Sequence, residues 1–263
     1  MFMSFILCNQ ASLFYQEAGE GNETIVFSHG LLFDHRMWDA QLEYFKDRYR
    51  CIAYDHRGQG QSQVIGDEDM DTLYEDAASL IEQLAGNTKV HFVGLSMGGF
   101  VGIRLAARQP HLLKTLTLLD TSADPEPNLF KYQLLNTIFK FGGAPLVITK
   151  IIHILFGKSS LRDSSKKEII QFWKSIIQNY PASITKAVEG VIQRQGVVNE
   201  LEKITAPTLV AVGDEDIATL PQKSEHIHHT IKGSKLIISP KSGHSSCIEQ
   251  ANEVNKIIQH FIG

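Results

Sequence analysis

Glycine, serine and glycine alternate in Val93-Gly94-Leu95-Ser96-Met97-Gly98-Gly99, and this spacing could make a side-chain hydroxyl reactive. A serine is a poor nucleophile until a base takes its proton and fixed N–H donors receive the charge that develops on the attacked group. An apolar run, residues 89–93, enters the motif; an Ala- and Leu-rich helical run, 100–108, leaves it and ends at Pro110. Strand, tight turn and helix in that order expose the serine and aim the first N–H groups of the helix at the same spot. Gly94 and Gly98 leave room for a backbone that sharp. The same pattern also suits a close-packed connection or a phosphate-binding turn, so Ser96 needs a base and an acid elsewhere in the chain.

Of eleven histidines, His244 has the best context: Ser242-Gly243-His244-Ser245 is a turn between the last apolar run and a final amphipathic helix. His226, His228 and His229 cluster on a polar stretch without the carboxylate or cysteine pattern of a metal site, which points to a surface role. His29 and His56 sit in turns of their own. A base in turn needs a carboxylate to set its tautomer and stabilise its charged form. Gly213-Asp214-Glu215-Asp216 follows an apolar run and offers three acids, and Asp120, at the end of the run 114–119, is a competitor.

These residues must be brought together by the elements that carry them. Runs 4–8 and 13–17 read as an edge hairpin; 24–28, 50–54, 89–93, 114–119, 208–212 and 235–238 read as strands. The last four are continuously apolar, the type expected in a sheet covered on both faces. Helical patterns alternate with the strands, one of them opening at a capping box, Thr72 with Glu75, so the fold class is α/β with a mostly parallel sheet flanked by helices. In such a sheet ligands bind at the carboxyl ends of the strands, where the loops after residues 28, 93, 212 and 238 all leave. Between Asp120 and Thr205 the alternation stops: residues 128–141, 145–156, 164–180 and 182–195 read as helices. This predicts a helical cap, 121–204, inserted before the penultimate strand of a core made of 1–120 and 205–263. Residues 121–200 hold ten Lys and Arg against six Asp and Glu, a mildly basic roof that suits an anionic substrate or is simply a solvated face. The apolar run 151–156 either lines a pocket or holds the cap to the core.

In sequence order, His29-Gly30, Asp55-x-Arg57-Gly58-x-Gly60-x-Ser62, Gly94-x-Ser96-x-Gly98-Gly99, Gly213-x-x-Asp216 and Gly243-His244 resemble the motifs of the α/β-hydrolase superfamily, over nearly all of the chain outside the cap. The branch resembled includes esterases, 3-oxoadipate enol-lactonases, non-metal haloperoxidases and C–C bond hydrolases. The resemblance implies Ser96 as nucleophile, His244 as base and Asp216 as acid, in the chain order these enzymes use. It implies an oxyanion hole from the backbone N–H groups of Leu31 and Met97. The Asp55 to Ser62 turn reads as structural, an Arg–carboxylate brace holding the loops.

The expected activity is therefore hydrolysis of a carboxylic ester through an acyl-enzyme, with no metal and no organic cofactor. Enol-lactone or C–C bond hydrolysis by the same three residues is the nearest alternative. A ligand-binding signalling protein on this fold is an alternative of another class. The expected partner is a small ester or lactone with an apolar part, handled by a monomer or small homo-oligomer. A net charge of −4 without a basic run argues against nucleic acid. No apolar run approaches the roughly 20 residues that span a bilayer. Residues 1–8 read as a first strand rather than a signal. Three scattered cysteines, Cys8, Cys51 and Cys247, suggest a reducing compartment, and the expected location is cytoplasmic.

Overall fold

The expected strands pair into one eight-stranded sheet in the computed structural model, which describes residues 2–263. The strands are β1 (Phe2–Cys8), β2 (Ala11–Ala18), β3 (Thr24–Ser28), β4 (Arg50–Tyr54), β5 (Val90–Leu95), β6 (Leu113–Leu119), β7 (Thr208–Gly213) and β8 (Lys235–Ser239). Their order is β1-β2-β4-β3-β5-β6-β7-β8. The hairpin β1–β2 runs antiparallel, with Phe2 opposite Glu17 and Cys8 opposite Ala11, and β2 joins β4 antiparallel; all other pairings are parallel. Met1 of the expected first strand lies outside the described residues.

Burial follows sheet position. Every residue of β3, β5 and β7 is buried because helices cover both faces. The run 235–238 departs from expectation: it forms the far edge strand, with no strand beyond it among the described residues, and Ile238 is 44% exposed. On one face, helices Met70–Ala85 and Met97–Arg108 pack Leu73, Ala77, Leu80, Val101 and Leu105 against Val26, Phe92 and Leu116. On the other, Asp39–Phe45 and Ala251–Ile262 pack Leu42, Phe45, Val254 and Ile258 against Phe27 and Cys51. The helix expected to open at Thr72 starts earlier. Asp69 is its N-cap, its carboxylate accepting from the N–H groups of Asp71 and Thr72 at 2.9 Å each, so an Asx cap displaces the capping box.

Between β6 and β7 the chain forms helices Leu129–Gly142, Ile148–Leu155, Lys158–Arg162, Lys167–Gln178 and Ile184–Ile192 and no strand. This insertion shares its core with the sheet. The Phe33 ring meets Trp173 at 4.8 Å and Phe156 at 6.5 Å, both edge-on, and Ile152, Leu155, Ile177 and Ile184 are buried with them. The run 151–156 takes both of its alternatives: Ile152 and Phe156 lock the insertion down, whereas Ile151, Ile154 and Leu155 line a cavity. Among the described residues, no helix is long and apolar enough to cross a membrane.

Candidate active site

Strand order decides which loops meet. Because β3, β5, β6, β7 and β8 are consecutive neighbours, the segments after Ser28, Leu95, Leu119, Gly213 and Ser239 leave the same edge side by side. Ser96 occupies the turn from β5 into its helix with φ 52° and ψ −111°, a backbone that an L-residue adopts only when its surroundings hold it there. The glycines allow it. A Cβ on Gly94 would lie 2.3 Å from the Gly98 carbonyl oxygen, and one on Gly98 would lie 2.1 Å from that of Ser28.

Three sequence-predicted side chains, far apart in the chain, form one hydrogen-bonded line. Ser96 Oγ lies 2.8 Å from His244 Nε2, and His244 Nδ1 lies 2.9 Å from Asp216 Oδ2. The carboxylate can only accept, so Nδ1 carries the proton and Nε2 faces the serine hydroxyl as an acceptor. Asp216 is itself held: Ala218 and Thr219 N–H groups donate to Oδ1 at 2.8 and 3.0 Å, and the Thr219 hydroxyl donates to Oδ2 at 2.8 Å. Burial pushes the His244 imidazolium down, but the Asp216 charge and hydrogen bond outweigh it, helped by Asp120 and Glu249, and the pKa rises above the usual histidine value.

The backbone amides of Leu31 and Met97 have no acceptor among the described residues. For Met97, the first residue of its helix, this follows from helix geometry. For Leu31 the loop arranges it. Phe33 N–H closes a turn onto the Gly30 carbonyl at 3.2 Å and Leu32 N–H is taken by Gln59 Oε1 at 3.1 Å, leaving Leu31 free between them. His29 anchors this loop, its Nε2 accepting from His56 N–H at 2.9 Å and its Nδ1–H donating to the Gly30 carbonyl at 2.8 Å.

The competing acid has a different job. Asp120 is fully buried; Oδ1 accepts from Gly213 N–H at 2.9 Å and Oδ2 from Ser246 N–H at 3.2 Å, so it ties the acid loop to the histidine loop. Burial, then the Asp216 charge, push its pKa up. Glu249, which has no motif around it, does the same for His244. Its Oε1 accepts from the N–H groups of Gly243 and Ser245, which flank His244, at 3.0 and 3.1 Å, and its Oε2 from Gly157 N–H at 2.9 Å. The only sequence signal for it was an acid five residues after the candidate base. Thr219 was also missed. The expected brace is Arg57 with Asp76, a buried two-point pair at 2.8 and 2.6 Å. His226, His228 and His229 lie on the helix Pro221–Thr230, where His228 meets Ser234 and His229 the Glu225 carbonyl. Asp34, His35 and Asp55 cluster within 4.8 Å, but His35 already binds Asp55 through both N–H and ring, and Asp34 binds Arg36, so the group is internally satisfied.

Above Ser96 lies a cavity of about 140 Å³, bounded below by Leu31, Leu32 and Phe100 and above by insertion residues that include Leu135, Phe139 and Ile184. Residues 23–251 match the sequence pattern of a family described as the alpha/beta hydrolase fold. The chain belongs to this family. It is 28% identical over 245 residues to 3-oxoadipate enol-lactonase 1 of Acinetobacter baylyi, covering 92% of this chain and 90% of that one. It is 27% identical to a non-heme haloperoxidase of Rhodococcus erythropolis, covering 99% of each. A thermophilic esterase from Thermogutta terrifontis, solved with malate bound, superposes with a TM-score of 0.90 at 28% identity, over 100% of this chain and 98% of the esterase.

Proposed function

We propose that this α/β hydrolase cleaves carboxylic esters through an acyl-enzyme on Ser96, with His244 as general base and Asp216 as the acid that orients it. The observation that carries the reading is the unbroken line Ser96 Oγ, His244 Nε2, His244 Nδ1, Asp216 Oδ2 at the floor of an apolar cavity. Ser96 Oγ attacks the ester carbonyl while its proton passes to Nε2, and the oxyanion is received by the Leu31 and Met97 amides. Collapse expels the alcohol, which takes the proton from His244. Water then attacks the acyl-enzyme with His244 again as base, releasing the acid and restoring Ser96. A single donor in such a hole contributes roughly 3–4 kcal/mol to the transition state. We read residues 121–204 as a lid over this site and 1–120 with 205–263 as the core that carries it. Lactone cleavage by the same residues is the second reading, favoured by the likeness to the A. baylyi enol-lactonase.

Turnover of 4-nitrophenyl acetate by the wild type and by Ser96→Ala is the test. The reading expects a fall in kcat of several orders of magnitude with the fold unchanged by circular dichroism; equal turnover by the two proteins defeats it.

A further inference from the structure

Away from Ser96, Thr219 and His244, the apolar lining of the cavity is broken by Asn136, Tyr132, Glu126 and Arg194. Glu126, at the start of the insertion, and Arg194, just past its last helix, both line the cavity and form a buried ion pair, Nη1 to Oε2 3.1 Å, with side chains 8% and 4% exposed. Other contacts fix the guanidinium: Nε donates to the Asp124 carbonyl at 3.1 Å, Nη1 donates also to that of Val191 at 2.9 Å, and the group lies 4.3 Å over the Phe100 ring. Nη2 has no acceptor among the described residues. Phe100 N–H donates to the Ser96 carbonyl, so the ring beneath the guanidinium belongs to the helical turn that begins at the candidate nucleophile. Glu126 cannot turn away freely, because its Oε1 accepts from Asn128 N–H at 3.0 Å.

Tyr132 lines the same cavity, and its hydroxyl likewise has no partner among the described residues. Burial, with the charge of Glu126 next, pushes the phenol up to about 12, so it stays an O–H donor at neutral pH. These two free groups are donors, the other free atom of the lining, Asn136 Oδ1, is an acceptor, and the one positive charge is already neutralised. An uncharged oxygen acceptor suits such donors without adding charge. A carboxylate in the same place would bring a second buried negative charge beside Glu126.

We propose that Arg194, Tyr132 and Glu126 form a specificity subsite that takes an uncharged oxygen acceptor on the acyl group, such as a ketone or second ester carbonyl, and turns away a free carboxylate. The proposal rests on the cavity being the acyl site of an ester hydrolase. Glu126 is the discriminating residue: the same arginine without it would be a carboxylate receptor.

The test compares kcat/KM for three 4-nitrophenyl esters of matched length: pentanoate, 4-oxopentanoate and the succinate half-ester. In the wild type the oxo-ester is expected to exceed the half-ester about tenfold or more, since like charges brought together in a buried site cost at least about tenfold in affinity. Glu126→Gln is expected to raise the half-ester relative to the oxo-ester by about the same factor. Arg194→Met is expected to remove the advantage of the oxo-ester over pentanoate. Ratios within one variant cancel any loss of folded protein. A half-ester turned over as fast as the oxo-ester by the wild type, or a ratio unmoved by Glu126→Gln, overturns the proposal while leaving ester hydrolysis standing. Inertness toward all three esters and toward the acetate overturns both.

Discussion

Replacing Glu249 with Gln substitutes an amide for one carboxylate oxygen at a point where three backbone N–H groups converge. If the remaining oxygen keeps Gly243 and Ser245, the new NH₂ faces Gly157 N–H, donor against donor; the other orientation orphans two N–H groups. The cheaper case leaves one buried N–H unsatisfied, which costs about 1–3 kcal/mol, and the two retained bonds lose their charge assistance, adding roughly 1–2 kcal/mol. A total near 3 kcal/mol corresponds to a fall in Tm of roughly 6–12 °C for a chain of this size. His244 lies between two of the weakened N–H groups, so kcat should also fall roughly ten- to a hundredfold through misplacement of the base. That is far less than loss of the base itself. Thermal unfolding by circular dichroism and the kcat for 4-nitrophenyl acetate measure the two effects. A Tm within 2 °C of the wild type with unchanged kcat refutes the argument that this carboxylate holds the histidine loop.

The remaining predictions concern charge. Asp216→Asn should lower kcat by about 10⁴, because an amide can donate to Nδ1 and favour the wrong tautomer. As the proposed base, His244 is active when neutral, and its pKa is held above the usual histidine value, so wild-type activity should rise with pH through a midpoint above 6.5; the residual activity of Asp216→Asn should rise through a lower one. Glu68 is buried, both carboxylate oxygens lack donors, and burial, only partly offset by Lys186 and Arg57, pushes its pKa up to about 7. A raised acid stabilises the fold in its neutral form, so its contribution is lost as pH climbs from about 4.5 to 7. Glu68→Gln should therefore gain stability over the wild type by on the order of 2 kcal/mol between pH 5 and pH 8, read by urea unfolding; a gain independent of pH would contradict this.

Where side chains answer to a local period or motif, the sequence was a sufficient guide. Residues 24–28 and 50–54 are strands as expected, because both are short apolar runs closed by turn residues. Ser96, Asp216 and His244 each stand in a strand-end motif, and parallel strand order does the rest. The helix start was misplaced because Asp69 and Thr72 are both good caps, and only the path of the preceding loop decides between them. The exposure of Ile238 depends on which strand takes the edge, a property of the whole sheet. Asp120 stands out only as an acid at a strand end and Glu249 only as an acid five residues after His244; their partners are backbone N–H groups, which carry no residue identity, so neither role can be read from the sequence. The Arg194–Glu126 pair joins residues 68 apart across an insertion without motifs, so nothing local announces it.

The central claim is that the Ser96 hydroxyl becomes covalently bonded to the acyl group. Intact-mass and peptide-mass measurement after treatment with a fluorophosphonate, which phosphonylates an activated serine, tests it most directly. The account predicts one adduct per chain on the peptide containing Ser96, abolished by Ser96→Ala and strongly slowed by His244→Ala. Labelling at another residue, or no labelling of protein that hydrolyses 4-nitrophenyl acetate, would contradict it.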